Sequence, residues 1–388
     1  MSLKNISYLP QKFFLFICLL YGLIPTEGAP YITDQQFHWI FLLLIIIYTL
    51  YINSFKINIY GVIFFMLFVL FAGLNSFITM GHDIVLFSQA VLFAAVIAPT
   101  VYTNDIFRNQ FLIALRWLLI LSLSMFYLQF TIYHVTGNLL LVHEFFFPFS
   151  HARLGSEGDI YDNIVRMGGM YIEPGTYSNF IYVYMLIYMV ITKNLKDPLL
   201  YFIAVSIILT YSAWGMMVAS YFLIILIFSN LKQFSLIKRI LLFLIIFFLG
   251  FSSIKYFENT PAVNFLYDKL HATNGSTGHK KDAYKEFYRR SDNLIFTGEG
   301  FQPTFKHKIT SLQDSGILLN FAIIFGALFA LLIFVVFIIS LLKATNIMIT
   351  LISLPVFFDK MYYWDGAFML LFFIVLYQGL FYKKRIRI

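Results

Sequence analysis

The sequence predicts an all-α polytopic integral membrane protein with about twelve transmembrane helices. Hydrophobic residues make up 60% of the chain and charged residues only 12%, against roughly 25% charged residues in soluble domains. Apolar runs recur along all 388 residues, so we expect one transmembrane domain, 1–388, and no soluble domain. Cys18 is the only cysteine, which excludes an intramolecular disulfide.

The predicted spans follow each other closely along the chain. They fall at about 13–24, 37–53, 59–79, 84–102, 111–135, 176–192, 199–211, 213–229, 240–256, 316–342, 347–358 and 367–382. One helix over 199–229 would run ~46 Å, too long for a ~30 Å hydrocarbon core, so we predict a turn at 212–215. The first run could also be a signal peptide cleaved near Gly28-Ala29, but the next run follows so closely that we favour a retained helix.

The distribution of lysine and arginine predicts the orientation. With the N-terminus inside, nearly all short loops that hold Lys or Arg lie on the cytoplasmic side, Lys360 being the exception. Both termini are then cytoplasmic, and two large loops, 137–175 and 257–315, lie on the outer face. The formal charge of +8 is divided between the two sides, so we expect no nucleic-acid partner. Helix interiors contain almost no charge, which disfavours an ion-coupled transporter.

The first large loop contains a polar, glycine-broken segment, 162–180, with one cation and one anion, Arg166 and Glu173. Gly168, Gly169 and the Pro174-Gly175 pair predict a shaped loop rather than a helix. We expect Thr176 or Ser178 to cap the helix that follows by accepting an amide hydrogen bond, and a helix start of this kind suits phosphate. The alternative is a salt bridge between Arg166 and Glu173 that only pins the loop.

The second large loop contains a basic amphipathic segment at 279–290, HKKDAYKEFYRR. Drawn as a helix, Lys281, Lys285 and Arg289 align at four-residue spacing beside an aromatic face. This pattern is typical of a helix that rests on anionic membrane lipids. It equally predicts a site for a polyphosphate-linked substrate, in which Lys280, Lys281 and Lys285 act as point charges and Arg289 and Arg290 bind phosphate bidentately.

The end of the second loop, TGEGFQPTFKHKITSLQDSG at 297–316, leads into another span. Gly298 and Gly300 permit close backbone approach, and Asp314 or Ser315 can cap the helix that begins at Gly316. His307 can titrate near neutrality, although a solvated loop histidine is the simpler interpretation. Neither outer loop holds a metal-binding or serine-nucleophile motif, so we predict chemistry without metal or cofactor.

With these parts in this order, the chain resembles bacterial O-antigen polymerases of the Wzy type and, more distantly, O-antigen ligases. The resemblance is carried by Arg166-x-x-Gly-x-x-x-Glu173-Pro before a span, and by Gly298-x-Gly followed by Asp314-Ser-Gly316 before another. It implies an inner-membrane glycosyltransferase whose large loops face the periplasm. Where the family pattern has an arginine early in the second loop, this chain has Lys280 and Lys281.

The resemblance also implies a substrate and partners. The enzyme would transfer a growing glycan from undecaprenyl pyrophosphate to the next lipid-linked repeat unit, so the partners are lipid-linked donor and acceptor oligosaccharides and membrane lipids, with a chain-length regulator protein as a further candidate. Arg166 and Glu173 are the expected catalytic residues. The second-loop cations, His307 and Asp314 are the expected substrate-binding residues. A ligase and a flippase remain the rival functions.

Overall fold

The computed structural model describes residues 9–25, 34–54, 58–76, 82–148, 150–151, 160–161, 164–230, 282, 284–285, 287–290, 295–296, 298–300, 316–359, 361 and 365–381. The predicted span at 240–256 lies outside these residues, as do both chain ends.

The first third of the chain forms apolar helices joined by short connections. They are α1 (Leu9–Leu23), α2 (Asp34–Ile52), α3 (Ile59–Ser76), α4 (His82–Thr103) and α5 (Asp105–Thr136). Each agrees with a predicted span to within a few residues except α5, which starts well before 111. It starts there because the Asn104 side chain accepts a hydrogen bond from the Phe107 amide at 3.0 Å. It ends at Gly137, whose φ of 74° is left-handed.

The first of the two predicted large loops, 137–175, contains regular structure of its own. A short helix, α6 (Val142–Phe146), is followed by strands β1 (Ile160–Tyr161) and β2 (Ile164–Val165). The strands pair antiparallel, with Ile160 opposite Val165. Each strand has only two residues, so the described residues keep the all-α fold class that the sequence predicts.

The middle of the chain forms α7 (Pro174–Thr192), α8 (Leu199–Leu209) and α9 (Ala213–Asn230). The gap between α8 and α9 confirms the predicted division of 199–229, but the turn lies at 210–212 rather than at 212–215, because α9 already begins at Ala213. Helix α7 lies at the centre of the fold, because every residue from Tyr177 to Val190 is buried. Since it contacts protein on all sides, its tyrosines bury their hydroxyls as well as their rings.

Those tyrosine hydroxyls hydrogen-bond to neighbouring helices. Tyr177 donates to Ser206 on α8 at 2.8 Å, and Tyr188 donates to Asp197 at 2.8 Å. Tyr182 donates to the carbonyl of Ile352. A buried hydroxyl without a partner would be costly, so these bonds fix the position of α7 against its neighbours.

The predicted span at 316–342 is not one helix. It divides at Gly326 into α10 (Ile317–Phe325) and α11 (Ala327–Ala344), which pack against each other. Gly326 has φ 100° and ψ 150°, a conformation that breaks a helix and that L side chains rarely adopt. The hydrophobicity of the run does not reveal this break.

The last helices depart from α geometry at their ends. Helix α12 (Ile347–Ser353) continues as a 3-10 segment over Leu354–Phe358, where Pro355 supplies no amide donor. Helix α13 (Gly366–Leu376) continues as a π segment over Tyr377–Phe381. Gly379 lies there so close to Ser340 that a Cβ would come within 2.4 Å of the Ser340 carbonyl oxygen.

Within the described residues, three helices are long and apolar enough to cross a membrane, judged by length and composition: Ile84–Thr103, Asp105–Thr136 and Ala327–Ala344. Shorter apolar helices accompany them. The chain is therefore a predominantly helical protein with the features of a membrane protein. The expected number of spans and the sides of the loops stay predictions.

Arg116, the one charge that the sequence places within a span, has a carboxylate partner. Its Nη2 lies 3.4 Å from Oδ2 of Asp197, which is only 5% exposed. The Asp197 carboxylate also accepts bonds from the Tyr188 hydroxyl and the Leu199 amide. Arg116 therefore belongs to a polar cluster between α7 and α8, at the end of α7 opposite Glu173.

Candidate functional site

The segment between β2 and α7, residues 166–173, forms a tight loop. The Tyr171 amide donates to the Gly168 carbonyl at 3.0 Å, which closes a turn. A Cβ on Gly168 would come within 2.9 Å of the Glu173 carbonyl carbon, so the chain folds back on itself. Gly169 has φ 58°. The two glycines thus produce the shaped loop that the sequence predicts.

Arg166 and Glu173 stand at the two ends of this loop, both half-buried. Although both side chains are described, no salt bridge joins them. The alternative in which they only pin the loop together is therefore wrong. Of the described residues, Thr176 alone hydrogen-bonds the Glu173 carboxylate, at 3.3 Å.

The prediction that Thr176 or Ser178 caps α7 by accepting an amide hydrogen bond is wrong. The Thr176 hydroxyl donates to Glu173 Oε1, and the Ser178 hydroxyl donates to the Pro174 carbonyl at 2.8 Å. Neither accepts from an orphan amide. Glu173 occupies the N-cap position with an extended backbone, but its carboxylate makes no capping bond. The first amides of α7 therefore lack a side-chain cap.

Tyr171 of the loop packs with two neighbouring aromatic rings to form an apolar surface, here called the floor. Tyr171 packs edge-on against Tyr177 with centroids 5.4 Å apart, and Tyr177 stacks on Phe126 at 4.7 Å. Burial raises the pKa of Tyr171 above its ordinary range. A charged group above such a floor meets little solvent from below, which strengthens its electrostatic interactions.

Two buried polar side chains, Gln129 and His143, hold the loop by hydrogen bonds. Neither is among the residues predicted from the sequence. Gln129 on α5 accepts a hydrogen bond from the Gly169 amide at 2.8 Å and donates to the Leu140 carbonyl at 2.7 Å. His143 on α6 bonds the Met170 carbonyl at 2.8 Å and Ser150 at 2.9 Å. In the sequence, the only sign of such a role is a polar residue within an apolar run. That sign is weak, because the sequence does not show which segment the residue contacts.

In the second of the predicted large loops, 257–315, two predicted binding residues form ion pairs. Arg290 Nη1 lies 2.8 Å from Glu299 Oε1, with both side chains largely buried. Lys285 lies 4.0 Å from Asp282 on an exposed surface, where such a pair contributes little. Arg289 is exposed. Lys280, Lys281, His307 and Asp314 lie outside the described residues.

The second loop reaches the break between α10 and α11. The amides of Glu299 and Gly300 donate to the carbonyls of Ile323 and Ile324, at 2.8 and 3.1 Å. A Cβ on Gly298 would come within 2.0 Å of the Ile324 carbonyl oxygen. These contacts show why Gly298 must lack a side chain, and they fix Glu299 near the end of α10.

The structure brings Arg166 and Glu173 onto one loop, and it brings Arg290 to Glu299. Among the residues that it describes, no hydrogen bond or ion pair joins 164–173 to 282–300. The predicted convergence of the two outer loops therefore stays a prediction. The same residues hold no group of three His, Cys, Asp or Glu side chains placed to bind a metal ion.

In comparisons with known proteins, no family model, no curated protein and no solved structure matches the chain.

Proposed function

We propose that the chain is a bacterial inner-membrane glycosyltransferase that polymerises lipid-linked repeat units. In this proposal both termini are cytoplasmic, about twelve helices cross the membrane, and the loops 137–175 and 257–315 face the periplasm. Donor and acceptor are oligosaccharides on undecaprenyl pyrophosphate. The observation that carries the proposal is the 166–173 loop: Gln129 and His143 hold it by hydrogen bonds, and Arg166 and Glu173 lie at its two ends without a salt bridge between them.

In the reaction, a hydroxyl oxygen of the acceptor forms a bond to the anomeric carbon of the donor glycan. The bond from that carbon to the phosphate oxygen breaks, and its electron pair leaves with undecaprenyl pyrophosphate. The hydroxyl proton passes to Glu173, which orients the acceptor. Because the attack is direct, the configuration at the anomeric carbon inverts.

Arg166 stabilises the leaving group in this mechanism. Negative charge grows on the pyrophosphate as the bond breaks, and a fixed guanidinium lowers the barrier most when it is already in place. Arg289 or Arg290 supplies the second cation, and Arg290 also lies 2.8 Å from Glu299. Each charge-assisted contact contributes roughly 1.5 to 3 kcal/mol.

The test compares two arginine–carboxylate sets on the same chain. Arg166→Ala and Glu173→Gln should reduce cell-surface glycan from a ladder to single repeats, with normal protein level in the membrane. Arg108→Ala and Asp105→Asn are the matched controls, because this exposed pair (2.6 Å) lies at the opposite end of α5. Full ladders from both Arg166→Ala and Glu173→Gln would remove the proposal.

The same cells separate the rival functions. Loss of a ligase leaves finished polymer on undecaprenyl pyrophosphate, whereas loss of a polymerase leaves single lipid-linked repeats. Purified protein in vesicles provides the direct test, since only a polymerase lengthens an externally added lipid-linked repeat without another protein. A flippase would move the repeat across the bilayer and leave its mass unchanged.

A further inference from the structure

His143 is fully buried on α6, outside the apolar spans, and its two ring nitrogens are both engaged. Nδ1 lies 2.8 Å from the Met170 carbonyl oxygen, and Nε2 lies 2.9 Å from Ser150 Oγ. A carbonyl oxygen can only accept, so Nδ1 must carry the hydrogen. In a neutral ring Nε2 then accepts, and the Ser150 hydroxyl donates to it. The contacts thus assign the tautomer.

Met170 places this contact inside the 166–173 loop. Met170 follows Gly169, whose amide bonds Gln129 on α5. Two consecutive residues of the loop are therefore held by two different helices, one through a donor and one through an acceptor. The bonds lie between Arg166 and Glu173 in the chain. The contact at Met170 therefore helps to fix the backbone between Arg166 and Glu173.

We propose that His143 is a positioning residue for the Arg166–Glu173 loop, and that it acts through the Nδ1–H bond to Met170. The consequence for catalysis rests on the proposed function, whereas the positioning itself does not. Packing supports the ring in this place: His143 stacks on Phe147 with centroids 5.1 Å apart. Burial lowers the pKa of His143, which keeps Nε2 available as an acceptor for Ser150.

Two conservative substitutions separate the two ring nitrogens. In His143→Asn, the amide nitrogen replaces Nδ1 and can still donate to Met170. In His143→Gln, the longer amide reaches the place of Nε2, so it keeps a partner in Ser150 and loses Met170. A residue that only fills space would respond alike to both changes, because both lose the ring. The comparison therefore isolates the bond to Met170.

The measurement is hydrogen–deuterium exchange of the full-length protein in lipid nanodiscs. The Gly169 and Tyr171 amides report on the loop, because both are hydrogen-bonded, and the amides of α7 serve as the internal standard. In His143→Gln we expect exchange at Gly169 and Tyr171 to be about tenfold faster, the effect of losing one buried hydrogen bond. In His143→Asn it should stay within about twofold of the natural protein.

Equal exchange in the two variants, whether slow or fast, overturns the inference. If His143→Gln does not fold, His143→Leu replaces it, because leucine fills a similar volume and cannot donate to the Met170 carbonyl; loop exchange as slow as in His143→Asn then overturns the inference. Surface glycan is scored in parallel. If exchange follows the expected pattern while Arg166→Ala and Glu173→Gln both leave a full glycan ladder, the positioning role stands and the proposed glycosyltransferase function fails.

Discussion

Gly169→Ala tests whether the backbone of the 166–173 loop requires its present shape. Gly169 has φ 58°, where a Cβ costs roughly 1 to 2 kcal/mol. That Cβ would also lie 3.2 Å from Phe126 Cα and 3.3 Å from Phe126 N, and a backbone yields less easily than a flexible side chain. Overpacking of this kind typically costs 1 to 3 kcal/mol, so we expect a total loss of roughly 2 to 5 kcal/mol.

Gly137→Ala is the matched control for this change. Gly137 also has a positive φ, 74°, but a Cβ there meets nothing within 4 Å. It should therefore cost only the conformational term of roughly 1 to 2 kcal/mol. The difference between the variants measures the contact with Phe126.

Unfolding can be followed with a fluorogenic maleimide, because Cys18 is the only cysteine and is 1% exposed. Heating should release Cys18 for labelling at a lower temperature in Gly169→Ala than in Gly137→Ala, and surface glycan should shorten only in Gly169→Ala. Equal labelling midpoints in the two variants would show that the loop accommodates a Cβ, and the account of its packing would be wrong.

Three further predictions use the polar contacts. Burial lowers the pKa of His143, so the unfolded chain binds a proton there more readily than the folded chain. The temperature midpoint of Cys18 labelling should therefore fall as the pH decreases below about 6.5. His143→Asn should make that decrease smaller. Asp197→Ala should lower the free energy of unfolding by roughly 1 to 3 kcal/mol, since it removes the acceptor of the Tyr188 hydroxyl. Arg116→Ala should lower it by less than about 1 kcal/mol, because Arg116 is 48% exposed. Equal labelling midpoints in these two variants would contradict this. Glu299→Gln removes the carboxylate charge that pairs with Arg290, so calorimetry should show inorganic pyrophosphate binding roughly tenfold more tightly, and unchanged affinity would exclude Arg290 from the site.

Hydrophobic runs allowed most helices to be located from the sequence, because a segment buried in lipid or protein must be apolar over its whole length. The division near 212–215 followed from a length limit alone, and the loop at 166–173 followed from its glycines and proline. The break at Gly326 did not, since a single glycine within an apolar run fits a continuous helix equally well. The structure shows the break, with φ 100° at Gly326 and contacts between α10 and α11.

The sequence by itself determined the class of the chain and the two residues, Arg166 and Glu173, that begin and end its most polar loop. Only the tertiary structure decided that these residues do not pair and that Gln129 and His143 hold the loop between them. The physical reason is the distance along the chain over which each interaction acts. Hydrophobicity and glycine act on the local backbone and can be recognised in a short window, whereas the His143 bond to Met170 joins residues 27 positions apart.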